Sequence, residues 1–245
     1  MRAGVAEVEI TPEQQRFAGA GIKALIPVVD GKTLLELILE NLTSAGFNEV
    51  CLVIGPEHDA IRDFCSAKEL DIRFAVQDKP LGTADAVIAA EGCVAANELF
   101  LVVNSDNLYP VNSLRRLRET NRPAMLAFER EALIEQSNIA SERIAGFATV
   151  DIDEAGLLRR IVEKPDIVSS GSFVSMNAWL FSPSIFDACR SIERSERGEY
   201  EITAAVQYAI DKLGEEFVAV KTDEGVLDLS SRADIKGVSK FLKAK

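Results

Sequence analysis

The sequence predicts an α/β protein with a doubly wound, mostly parallel sheet, to which its second half adds mixed strands. Three observations predict this. Strand-like and helix-like segments alternate through the first hundred residues. Two of the strands, Val50–Ile54 and Phe100–Val103, are unbroken apolar runs, as in strands buried on both faces. One of them, Phe100-Leu101-Val102-Val103, breaks into Asn104-Ser105-Asp106-Asn107 and so carries a carboxylate at its C-terminal tip. In open α/β sheets that edge is where ligands bind, and a carboxylate there can hold a hard divalent cation against a phosphate. An aspartate in this position can also simply turn the loop or cap the next helix.

The elements follow in order. Thr11-Pro12-Glu13-Gln14 is a helix start, with Thr as N-cap and Pro at the first helical position, and Ala18-Gly19-Ala20-Gly21 ends that helix. Ala6 to Ile10 reads as a short strand. Ile22 to Val28 is apolar with one cation inside it, Lys23, and the turn Asp30-Gly31 follows. Leu34, Leu35, Ile38, Leu39 and Leu42 form a helical stripe closed by Gly46. Then come a strand over Glu49–Gly55, a helix from His58 to Phe64, and a strand over Ile72–Val76. The last runs into Gln77-Asp78-Lys79-Pro80-Leu81-Gly82-Thr83-Ala84 and a helix to about Val94. This β-α-β-α-β order gives a Rossmann-like sheet.

Beyond Tyr109-Pro110 a helix with Leu114 and Leu117 exposes Arg115, Arg116 and Arg118, and Met125 to Phe128 is a strand. Gly146–Ile152 and Leu157–Val162, joined through Asp153-Glu154-Ala155-Gly156, read as a hairpin ending in Glu163-Lys164-Pro165. A strand over Ser175–Phe181, a helix from Pro183 to Ile192, a helix opened by Glu199–Thr203, a strand over Phe217–Val220, Gly225–Leu229 and a closing helix complete the chain. No linker or repeat interrupts it, so residues 1–245 read as one domain.

Composition limits the function classes. A net charge of −12 opposes non-specific binding to nucleic acid or an anionic membrane. Cys51, Cys65, Cys93 and Cys189 stand far apart in sequence with a single histidine, which gives neither a zinc pattern nor a disulfide framework. No apolar run approaches a membrane span. A cytoplasmic protein is expected, and a homo-oligomer is compatible with the sequence.

Several separated motifs, in one order, resemble the sugar-1-phosphate nucleotidyltransferases (NDP-sugar pyrophosphorylases). Lys23-Ala24-Leu25-Ile26-Pro27-Val28 with Gly31-Lys32-Thr33-Leu34-Leu35-Glu36 is similar to that family's lysine segment. Gln77 to Ala84 resembles its nucleotide-binding loop, and Asn104-Ser105-Asp106-Asn107 its metal-binding strand end. Glu163-Lys164-Pro165 resembles its sugar-phosphate motif, and Asp228 in Leu227-Asp228-Leu229 its second metal aspartate. The resemblance implies the nucleotide-diphospho-sugar transferase fold. It also implies a reaction in which a sugar 1-phosphate oxygen attacks the α-phosphorus of a nucleoside triphosphate and pyrophosphate leaves.

It further implies a role for each residue. Lys23, Asp106 and Lys164 are catalytic, with Mg2+ on Asp106 and Asp228. Gln77, Pro80, Gly82, Thr83 and Asn104 bind the nucleotide. Asn107, Glu163, Lys164 and Asn177 bind the sugar phosphate. Gln77 favours UTP or dTTP, with GTP compatible, and the acceptor is a hexose 1-phosphate. A non-catalytic sugar-nucleotide-binding regulator is the alternative.

One departure stands out. The family opens with a strand and a glycine-rich loop that cradles the triphosphate. The most economical alignment places Met1 at the close of that signature, so this strand and loop have no counterpart here. Ala3-Gly4 as a remnant of the loop, or Ala6 to Ile10 as a substitute strand, are the other readings. A chain of residues 1–245 is therefore expected to be marginally stable and to bind nucleoside triphosphate poorly.

Overall fold

The computed structural model of the chain describes residues 11–19, 22–163 and 171–243; Ala6 to Ile10 lie outside them. Helix α1 (Pro12–Gly19) begins with a reciprocal cap. Gln14 N donates to Thr11 Oγ1 at 3.2 Å, and Thr11 N to Gln14 Oε1 at 2.9 Å. A 3₁₀ turn over Lys23–Leu25 leads into β1 (Pro27–Val29), which hairpins with β2 (Lys32–Thr33). Asp30 and Gly31 between them have φ of 47° and 76°, the left-handed pair that a two-residue hairpin requires. Thr33 then starts α2 (Leu34–Ser44): Glu36 N donates to Thr33 Oγ1, and the Glu36 carboxylate accepts from Thr33 N at 2.8 Å.

Next comes a parallel βαβ unit, β3 (Val50–Ile54), α3 (Asp59–Ala67) and β4 (Ile72–Val76), paired from Val50↔Ile72 to Ile54↔Val76. Helix α4 (Thr83–Ala89) is shorter than expected and gives way to a 3₁₀ turn over Glu91–Cys93. Gly92, a poor helix former, lies in that turn. Then follow β5 (Phe100–Val102), β6 (Asn107–Leu108), α5 (Val111–Glu119) and β7 (Ala124–Glu129). Two short helices, α6 (Arg130–Gln136) and α7 (Ser141–Ile144), occupy a stretch where the hydrophobic pattern predicted none. Strands β8 (Thr149–Ile152) and β9 (Leu158–Val162) form the expected hairpin before β10 (Phe173–Phe181). The chain ends in α8 (Ile185–Ser191), α9 (Ile202–Leu213), β11 (Val218–Thr222), β12 (Leu227–Asp228) and α10 (Asp234–Lys243).

The main sheet runs β11-β7-β10-β8-β9, and β10 also pairs with β5. It is mixed, with the antiparallel partners supplied by the second half. β7 and β11 are parallel, whereas β10 runs antiparallel to β5, β7 and β8. Side chains alternate across β7 and β10. Leu126, Phe128, Val174, Met176 and Leu180 enter one core with Leu34, Ile38 and Leu114 of α2 and α5. Met125, Ala127, Trp179 and Phe181 enter the other with Ile185, Phe186, Val206 and Phe217. The period of two thus builds a layer of helices on each face.

Among the described strands, two edges lack a partner. Neither β3 nor β5 has a second hydrogen-bonded neighbour among the described strands. Between them lies a cavity of about 970 Å3, walled by residues 50–53 and 100–103, by Leu35, Ile38 and Leu42 of α2, and by Ala86, Val87 and Ala90 of α4. Its lining also includes Thr83, Asn104 and Ser105.

Candidate active site

The site begins at the tip of β5. Lys23 projects from a 3₁₀ turn whose other residues, Ala24 and Leu25, are buried, so the lysine is the member of the turn left free to reach outward. Its Nζ lies 2.9 Å from Asp106 Oδ2, with both side chains about one quarter exposed (27% and 26%). A half-solvated pair of this kind contributes little to stability but leaves both charges within reach of a ligand. Leu229 N donates to the Asp106 carbonyl at 2.8 Å, which ties the β5 tip to the chain leaving β12.

Asp228 sits opposite Asn107 in the β6–β12 pair and is only 5% exposed. Its carboxylate accepts four hydrogen bonds. Oδ1 takes Arg143 Nη2 at 2.6 Å and Ser230 N at 3.0 Å; Oδ2 takes Asn107 Nδ2 and Ser230 Oγ, each at 3.0 Å. Four is about the number of lone-pair sites a carboxylate has. Arg143 also reaches Asp234 at 3.2 Å. Burial opposes the Arg143 charge, but the hydrogen bond and charge of Asp228, followed by Asp234 and Asp106, outweigh it and raise the guanidinium pKa. Asn138 pins the Asp228 backbone on both sides, donating to its carbonyl at 2.7 Å and accepting from its N–H at 2.8 Å.

The asparagines around Asp106 are structural as well as polar. Asn107 is 2% exposed, and its Oδ1 accepts from Asn104 Nδ2 at 3.2 Å. Tyr109, fully buried below them, donates to the Met176 carbonyl at 2.5 Å, and burial pushes its phenol pKa up. That bond connects this cluster to β10 beside Asn177, where the pairing with β7 shifts register. Asn177 has φ of 57°, a left-handed conformation in which a strand side chain is re-aimed. Its Oδ1 accepts from Trp179 Nε1 at 3.3 Å.

The Gln77–Thr83 loop forms a second group. Gln77 Nε2 donates to the Gly82 carbonyl at 3.0 Å and to Asp85 Oδ2 at 2.8 Å, so its amide N–H groups are engaged within the loop. Pro80 and Thr83 are exposed. The space at Gly82 is taken by this chain's own backbone: φ is 121°, and a Cβ there would lie 2.4 Å from the Tyr200 carbonyl oxygen. Tyr200 N donates to Leu81 O at 2.7 Å, Ala84 N to Tyr200 O at 2.9 Å, and Ile202 N to Thr83 Oγ1 at 2.9 Å. The loop and the Asp106 tip come together where Thr83, Asn104 and Ser105 line the same cavity. Glu163 is exposed at the end of β9, and Lys164 lies outside the described residues.

Arg143, Asn138 and Tyr200 were not read from the sequence as site residues, because each acts through a contact made far along the chain. Among the described residues no group of three or more His, Cys, Asp or Glu could hold a metal ion. Two carboxylates nonetheless suit Mg2+, a hard ion that keeps waters and substrate phosphate oxygens among its ligands. Asp106 has an oxygen outside its pair with Lys23. Asp228 would have to exchange at least one of its four partners for an ion.

A polar site at the C-terminal tip of a strand, with a lysine paired to an aspartate and a loop that needs a glycine beside it, lies at the edge where proteins of the α/β class bind ligands. The chain belongs to the nucleotidyl transferase family, which it matches over residues 19–243. It is 31% identical over 204 residues to the low-salt glycan biosynthesis nucleotidyltransferase Agl11 of Haloferax volcanii, covering 78% of this chain and 54% of that protein. It is 32% identical over 201 residues to a glucose-1-phosphate thymidylyltransferase of Streptomyces antibioticus, covering 77% and 51%. The UTP–glucose-1-phosphate uridylyltransferase AglF of Haloferax volcanii is 26% identical over 211 residues, covering 84% and 82%. The chain thus spans about half the length of Agl11 and of the thymidylyltransferase. Its fold matches the crystal structure of a UDP-glucose pyrophosphorylase complexed with UDP-glucose, at a TM-score of 0.72, 19% identity and 91% coverage of each chain. No described helix is long and apolar enough to cross a membrane.

Proposed function

We propose that this chain joins a nucleoside triphosphate to a hexose 1-phosphate, giving an NDP-sugar and pyrophosphate. The observation that carries this reading is the Lys23–Asp106 pair at the β5 tip, in a chain of the nucleotidyl transferase family. Two polyanions must meet, so positioning and charge neutralisation supply most of the catalysis. The attacking phosphate oxygen is already ionised, and no general base is needed.

In this reading Lys23 leaves Asp106 for the triphosphate and neutralises charge as pyrophosphate departs. Asp106 and Asp228 are the residues that would hold Mg2+. When bound, Mg2+ supplies Lewis-acid stabilisation of the α-phosphate charge. Gln77, Pro80, Gly82, Thr83 and Asn104 shape the nucleotide side, and Gln77 Oε1, which has no partner among the described residues, would read the base. Asn107, Glu163, Lys164 and Asn177 serve the sugar phosphate. UTP or dTTP is the favoured nucleotide, in line with the named activities of AglF and the thymidylyltransferase, and the cytoplasm is the compartment that holds both. The test is pyrophosphate release with UTP, dTTP or GTP against glucose 1-phosphate, which should require both substrates. Nucleotide hydrolysis indifferent to the sugar would overturn the reading.

We also propose that an extended apolar segment ahead of Thr11 belongs between β3 and β5, followed by a loop that cradles phosphates. Two strand edges with no partner among the described residues, walled by apolar rows of α2 and α4, support this. Buried edges are costly unless paired. The test is the stability of the chain with and without such an N-terminal segment.

A further inference from the structure

We propose that Cys51 and Cys93 form a dithiol–disulfide couple, a covalent modification site that ties β3 to the turn after α4. Their Sγ atoms lie 2.8 Å apart although 42 positions separate them in sequence. A disulfide needs the sulfurs to close to ~2.05 Å, a movement of under ~1 Å that two half-buried side chains can make. Both thiols are partly exposed, so a small oxidant can reach them. Cys65 and Cys189, each 2% exposed, are enclosed in the cores. The four cysteines therefore divide into one accessible couple and two sequestered thiols.

The oxidant class is a low-molecular-weight disulfide. The Cys93 thiolate attacks one of its sulfurs, forming a mixed disulfide and releasing one small thiolate. Cys51 then gives up its proton and attacks the Cys93 sulfur, expelling the second small thiolate. In sum, one external disulfide is reduced to two thiols while Cys51 and Cys93 are oxidised to one disulfide. Burial first, and then the neighbouring Cys93, push the Cys51 thiol up to about 12.

The bridge would staple the segment holding α3, β4 and the Gln77–Thr83 loop into a closed ring. Its formation does not depend on the proposed reaction, and the test reads the bond itself. The full chain is reduced, equilibrated with glutathione disulfide, denatured, alkylated and analysed by intact mass and peptide mapping. The expected product has lost two hydrogens, contains a linked Cys51–Cys93 peptide, and is alkylated at Cys65 and Cys189. Its Tm should exceed that of the reduced chain by roughly 10 °C, the order expected for closing a loop of this length. Cys51→Ser should leave a glutathione adduct on Cys93, and Cys93→Ser should abolish the bridge. Four alkylatable thiols after oxidation, a stable glutathione adduct on the parent chain, or a link between other cysteines would overturn the assignment.

Discussion

Arg143 Nη2 lies 2.6 Å from Asp228 Oδ1, which joins a four-residue helix to a two-residue strand 85 positions later. The pair holds an almost fully buried carboxylate in one orientation, and Asp234 accepts the other end of the guanidinium fork. Arg143→Met should cost about 1–3 kcal/mol in urea unfolding, since a buried acceptor loses its charged donor while its three other partners remain. Arg143→Lys should restore part of the loss. A Met variant as stable as the parent would show that the pair is incidental.

Asp106 is expected to behave oppositely. It is partly exposed and, among the described residues, its carboxylate pairs with Lys23 alone, so Asp106→Asn should change stability by less than about 1 kcal/mol while lowering turnover by orders of magnitude. Leu126→Ala, in the fully buried core, should instead cost about 2–5 kcal/mol. Matching unfolding curves and initial rates for the two variants separate these effects. An Asp106→Asn enzyme with parental turnover would remove this residue from the mechanism.

At Gly82 the clash lies with the backbone of Tyr200. Gly82→Ala should pull the loop away from Glu199–Ile202, lowering stability by about 1–3 kcal/mol and raising the nucleotide KM more than the sugar 1-phosphate KM. A Tyr200→Phe control keeps the backbone contacts and should leave both constants near parental values. Equal effects of Gly82→Ala on both KM values would mean that the loop does not serve the nucleotide side.

The βαβ unit, the lysine turn and the Asp106 tip were legible because each is local: apolar runs, an Asp-Gly turn and capping residues act within a few positions. Helices α6 and α7 were not, since their buried residues (Ala132, Leu133 and Ile144) are too few to show a period. The Asn177 register shift left no mark in composition. Gly82 was expected to make room for a nucleotide, and the room is filled by a strand of contacts from 118 positions later. Cys51 and Cys93 read as isolated thiols because nothing in spacing announces a tertiary meeting.

Stability should fall at alkaline pH. Burial pushes Cys189 up to about 12 from an ordinary 9.0, and Cys51 to about 12 as well. Between these values the unfolded chain releases thiol protons that the folded chain retains, so the folded state binds more protons and unfolding gains as pH rises. The contribution is fully present below pH 9 and is lost as pH climbs toward 12. Cys189→Ala should flatten the Tm–pH curve above pH 9, and a parallel curve would contradict the shift.

The most direct test of the central claim is pyrophosphate release from UTP or dTTP by the folded chain with Mg2+, with and without glucose 1-phosphate. The account predicts slow release that requires the sugar phosphate, matches NDP-sugar formed one for one, and disappears in Lys23→Ala and Asp106→Asn. Release that ignores the sugar phosphate, or that survives both substitutions, would contradict it.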